Sequence, residues 1–122
     1  MHITEIERHT AETMCEAVDV PFGDTYLEQA VIFLRALSIN HDREITYNGL
    51  WKEYGLPDVA MHAKSKAARM NNHSHNLAGP FVADDPEEGF KEADHEQQIK
   101  DKAVDDALDL VNYGAFCARL SY

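Results

Sequence analysis

A chain of 122 residues is long enough for one hydrophobic core and too short for two, and its 44% apolar content is ordinary for a globular protein. Its 22 acidic against 11 basic residues leave a net charge of −11, which argues against broad binding to a nucleic-acid backbone but leaves room for a small nucleotide. No apolar run reaches the ~18 residues of a membrane span, and MHITEIERHT has neither the basic n-region nor the apolar core of a signal peptide, so the expected location is the cytoplasm.

Cys15 and Cys117 have no second Cys or close His at zinc-ligand spacing. They read as buried free thiols of a reducing compartment, with one disulfide as the alternative. In chain order, Ile3, Ile6, Met14 and Val18 recur at loosely helical spacing among Glu5, Glu7, Glu12 and Glu16, which suggests an N-terminal helix within 1–20. Pro21 and Gly23 punctuate the chain, and Asp24 is placed to cap a second helix over 24–39. Its Leu27, Ala30, Val31, Phe33, Leu34 and Leu37 surround much of the helix, so a central position is expected, with Glu28 and Arg35 as exceptions. A short polar turn, INHDREI, then leads to Thr46, which can cap a third helix through Trp51 and Tyr54 that Gly55 stops.

Pro57 suits the first turn of the next helix, VAMHAKSKAARMNN. Val59, Ala60, Ala63, Ala67 and Met70 form its apolar stripe, with His62, Lys64, Lys66 and Arg69 outside it. Lys66 and Arg69, three residues apart, can converge on one anion; the plainer alternative is a pair of solvated cations. Residues 71–93 contain Gly79, Pro80, Pro86 and Gly89 without a sustained period and read as a long loop. Its His73 and His75 lack a third ligand, so zinc is not expected. The acids Asp84, Asp85, Glu87 and Glu88 read as solvated loop, with a closing lid as the alternative.

The last stretch, 100–122, has the period of a long helix of about 25 residues. Its apolar residues, Ile99, Val104, Leu108 and Val111 among them, fill an arc of roughly 180°, so burial on two sides is expected. Asp105, Asp109 and Tyr113 follow at i, i+4, i+8, with Asp106 and Asn112 at the edges. This is a solvated acidic face or a site for a hard cation such as Mg²⁺, which is typically held by carboxylates, waters and phosphates. The whole reads as one all-α domain over 1–122, a bundle of four or five helices with the long loop before its C-terminal helix.

The runs Tyr47-Asn48-Gly49-Leu50-Trp51-Lys52-Glu53-Tyr54, Pro57-Asp58-Val59-Ala60 and Lys66-Ala67-Ala68-Arg69-Met70, followed by Asp105, Asp109 and Tyr113, resemble a group of small phage proteins. These carry a K-x-x-R helix and a D-x-x-x-D-x-x-x-Y helix, and some are described as nucleotide-modification-associated; the likeness covers roughly 24–122. The last helix also resembles the closing helix of the MazG-like all-α nucleoside triphosphate pyrophosphohydrolases, whose acidic E-x-x-D pair helps bind Mg²⁺. Asp106 and Asp109 stand at that spacing, whereas Lys66 and Arg69 stand where the family's earlier helix carries acids.

The resemblance implies a nucleotide-binding or nucleotide-hydrolysing protein. Lys66 and Arg69 would hold phosphate oxygens, and Asp105, Asp106 and Asp109 would carry Mg²⁺, with Asp109 and Asp105 serving catalysis. Trp51 or Tyr113 would stack on a base, although a lone Trp between helices is more often a core anchor, which is the plainer reading of Trp51. Hydrolysis would be metal-assisted attack of water on a phosphoryl group. Three alternatives stand beside this reading: a structural ion-pair network between the two motifs, an acidic phage protein that blocks a host factor or sequesters a signalling nucleotide, and an assembly role without a small ligand. Broad apolar arcs on two helices also suggest a homo-oligomer, most simply a dimer.

Overall fold

A computed structural model describes residues 1–47, 50–78 and 86–122, with side chains for 1–43, 51–77 and 94–122. The fold is all-α: among the described residues four helices run in the order α1 (Glu5–Ala17), α2 (Asp24–Tyr47), α3 (Leu50–Ala78) and α4 (Pro86–Ser121). None is long and apolar enough to cross a membrane. The chain divides into two compact units, Met1–Gly49 and Leu50–Tyr122, each built on a helix pair.

In the first unit α1 is capped at both ends. Thr4 Oγ1 accepts from the Glu7 backbone N–H at 3.2 Å while Glu7 Oε1 accepts from the Thr4 N–H at 3.1 Å, a reciprocal box that satisfies two donors the helix leaves open. At the other end Asp19 takes a left-handed φ of 57°, and the N–H groups of Asp19 and Val20 donate to the carbonyls of Glu16 and Cys15 at 3.2 and 3.0 Å. This double closure turns the chain toward α2 and seats Val20 on the core. That core is Ala11, Cys15, Leu27, Ala30 and Val31, with Ile3, Met14 and Leu34 packed around it. Burying a side chain such as Leu27 or Val31 contributes about 1.5–3 kcal/mol.

Arg35, an exception to the apolar pattern of α2, returns across this core. Its Nε donates to Glu7 Oε2 at 2.7 Å and its Nη2 donates to Glu7 Oε1 and to the His2 carbonyl, tying the N-terminal segment to α2. The Arg35 hydrogen bond, aided by the Thr4 N–H, pulls the Glu7 carboxyl from 4.5 down to about 2. Because the unfolded chain protonates first, the stability this pair contributes is present above pH 4.5 and lost as pH falls toward 2. The stability difference between the parent and Glu7→Gln is therefore expected to shrink across that window. A difference that stays constant through acid titration of both proteins would contradict it.

Several helix boundaries differ from those expected. Asp24 lies in the first turn of α2, whose first carbonyl acceptor is Gly23, bonded by the Leu27 N–H at 3.0 Å. The stretch INHDREI is helical, and Thr46 lies inside α2 rather than capping a new helix. Residues 71–78 continue α3 and 86–93 begin α4, so the expected loop over 71–93 is helical at both ends and α4 spans 36 residues instead of about 25. Asp84 and Asp85 lie outside the described residues, as do the side chains of Glu87 and Glu88. Gly55 does interrupt the helix: its φ of 79° and ψ of −179° fall where only glycine is unstrained, and the helix restarts through Pro57.

The central position expected of α2 is only partly met, since Phe33 and Leu37 are exposed. In α4 the expectation is met in part: Ile99 and Leu108 are buried and Val111 half-buried, but Val104 is 58% exposed, and Asp106 and Asp109 are buried beside them. Periodicity assigns apolar residues to the core, but α3 presents Lys66 and His73 to this part of α4, and a buried cation needs a carboxylate partner. Cys15 and Cys117 are both free thiols, the former buried and the latter half-buried.

Candidate functional site

The site lies within the second unit, along the seam between α3 and α4. At 100° per residue His62, Lys66, Arg69 and His73 fall within an arc of ~60° on α3, and Asp106, Asp109, Tyr113 and Phe116 within ~80° on α4. The helices run antiparallel, so residues early in α3 meet residues late in α4: Trp51 meets Phe116, His62 meets Tyr113, Lys66 meets Asp109 and His73 meets Asp106. One half of the seam is aromatic and the other ionic.

In the ionic half, Lys66 Nζ donates to Asp106 Oδ1 at 3.1 Å and lies 2.7 Å from Asp109 Oδ2. The second oxygen of Asp106 accepts from His73 Nε2 at 2.9 Å; since an ionised carboxylate can only accept, Nε2 carries the proton. Arg69 Nη1 stands farther off, 3.9 Å from Asp106 Oδ1, on a side chain that is 61% exposed. Burial by itself would push the Asp106 carboxyl up; the hydrogen bonds from His73 and Lys66, with the charge of Lys66, outweigh it and hold the group below its ordinary value. Asp106, an edge residue by sequence, is thus the centre of the cluster. Among the described residues no buried side-chain nitrogen or oxygen lacks a partner.

Beside the cluster opens a cleft of about 510 Å³ lined by Lys66, Arg69 and His73 from α3 and by Asp101, Lys102, Asp105 and Asp106 from α4. Three cations and three carboxylates face it. Oxygens of Asp105, Asp106 and Asp109 lie within 4.8 Å of one another, and this trio could hold a metal ion, its oxygen donors suiting a hard cation. Lys66 already pairs with both Asp106 and Asp109, however, so an ion entering there competes with its ammonium.

The sequence-derived site residues therefore separate. Lys66, Arg69, Asp105 and Asp106 reach the cleft, while Asp109 sits under Lys66. Trp51 and Tyr113 belong to the aromatic half. The Trp51 ring lies parallel to Phe116 at 4.4 Å with Lys52 Nζ 5.4 Å from its centroid, and Tyr113 meets Phe116 edge-on at 6.2 Å and His62 at 5.7 Å. Trp51 is a helix-pairing anchor here. His73 and Lys102 were not singled out as site residues by sequence reasoning. The signal for His73 was its spacing, four residues after Arg69 and seven after Lys66, which puts all three on one helical face. Compared with protein-family models, curated proteins and solved structures, the chain matches none, so a function has to be read from this cleft and its seam.

Proposed function

We propose that the α3–α4 cleft binds a nucleoside polyphosphate together with Mg²⁺. One observation carries the reading: the exposed Arg69 and the half-buried Lys66 line the same open cleft as Asp105 and Asp106, so groups suited to phosphate and groups suited to a hard cation adjoin. Lys66 and Arg69 donate to phosphate oxygens. Asp105, Asp106 and Asp109 would hold Mg²⁺, which would supply positive charge to offset that of the phosphates. Without an added cation the lining charges balance and attract an anion only weakly; a divalent ion would tip the cleft positive.

The alternative of an acidic protein that blocks a basic partner asks for carboxylates spread over an outer face. Asp106 and Asp109 are instead buried against cations, which favours the cleft. Thermal melting with a panel of nucleoside triphosphates tests the reading. An upward shift of the midpoint that requires Mg²⁺ is expected. No shift with any nucleotide would leave the cluster as a structural ion-pair network. Release of pyrophosphate in the same mixtures would extend binding to hydrolysis.

The exposed Tyr26, Phe33 and Leu37 on one stripe of α2 support the homo-oligomer that belongs to this reading. Sedimentation is expected to give a dimer at tens of micromolar, and a monomer there would remove that part.

A further inference from the structure

The aromatic half of the seam is a ladder of rings whose last member is open. Trp51 stacks on Phe116 at 4.4 Å and 6°, Phe116 meets Tyr113 edge-on at 6.2 Å, and Tyr113 lies against His62 at 5.7 Å with the rings 17° from parallel. The first three are half-buried and braced by one another, whereas His62 is exposed. Tyr113 lies near-parallel to the imidazole on one side, and the exposure of His62 leaves ring surface facing solvent. His62 is also four residues before Lys66, one helical turn or about 6 Å along the same face of α3. His62 does not itself line the cleft; it stands one turn beyond Lys66, on the side away from His73.

We infer that His62 is the base-stacking residue of the site: a nucleotide whose phosphates are held by Lys66 and Arg69 lays its base on the outer face of His62. This rests on the phosphate reading of the cleft and adds what selects a nucleotide over an inorganic polyphosphate. Tyr113, which with Trp51 the resemblance suggests for this role, instead lies against the imidazole. Because every base has a π face, the contact tolerates any nucleobase and favours the larger purines.

Calorimetric titration in Mg²⁺ with adenosine triphosphate, cytidine triphosphate and inorganic tripolyphosphate tests it on the parent, His62→Ala and His62→Phe. The exposed position lets circular dichroism confirm that both variants stay folded. The parent is expected to bind the nucleotides more tightly than tripolyphosphate. His62→Ala should weaken both nucleotides about tenfold and leave tripolyphosphate unchanged, with recovery in His62→Phe. Equal binding of nucleotide and tripolyphosphate by the parent, or an alanine variant that lowers both alike or neither, overturns the stacking role while the anion site survives. A parent that binds none of the three ligands overturns both.

Discussion

Replacing Lys66 by methionine is expected to lower folding stability by about 3–5 kcal/mol, and adding Asp106→Asn and Asp109→Asn to that variant is expected to recover most of the loss. The Lys66 side chain is 17% exposed, those of Asp106 and Asp109 8% and 6%. Removing the ammonium leaves two buried carboxylates whose oxygens lie within 4.8 Å. For Asp106 there remain His73 on one oxygen and Arg69 3.9 Å from the other, and the two carboxylates then repel each other without the ammonium between them. Asparagine amides carry no charge and can donate as well as accept, so the triple variant removes the repulsion without leaving a charged group unpaired.

The pH dependence supplies a second check. In the parent, Asp106 ionises below its ordinary 3.8, so its contribution is present above that value and fades as pH falls through the lowered one. Without Lys66 the folded protein takes up a proton more readily, and the deficit of Lys66→Met should narrow in acid. Urea denaturation with an unchanged m-value would measure both effects. A Lys66→Met protein as stable as the parent would show that the cluster is solvated.

Much of the fold is legible in residue spacing because local rules suffice for it. Pro21 and Gly23 mark the entry to α2, Gly55 marks the interruption of α3, and the charged runs at Lys66 and Asp105 lie on helices that meet. The expected loop over 71–93 fails for a different reason. Its Asn, His and Ser residues are indifferent helix formers, but Met70 is half-buried and His73 finds Asp106, so tertiary contacts carry α3 on to Ala78. The polar face of α4 fails for a third. Counting apolar residues finds Ile99 and Leu108, which are buried, but it misses the part of the buried face where the neighbour presents Lys66 and His73. Residues four and seven apart on both helices would have shown the matching charged stripes, whereas distance to an edge of the apolar arc could not single out Asp106.

Arg69→Ala is expected to weaken nucleoside polyphosphate binding about 10- to 100-fold while leaving the melting midpoint of the free protein nearly where it was. The two parts follow from one position. Arg69 Nη1 is 3.9 Å from Asp106 and its side chain is 61% exposed, so the pair is solvated and contributes little to folding. Facing the cleft, the same guanidinium can form charge-assisted bonds to phosphate, and losing one costs about 1.5–3 kcal/mol of binding. Arg69→Lys keeps the charge but loses the planar fork, so its affinity should fall between the two. Raising ionic strength should weaken the parent more than Arg69→Ala, which has one charge fewer to screen. This separates the two roles of the seam: Lys66 variants change folding whether or not a ligand exists, and Arg69 variants change binding alone. An Arg69→Ala protein that binds nucleotide with parental affinity would take Arg69 out of the site and leave Lys66 to carry the phosphate contact from α3.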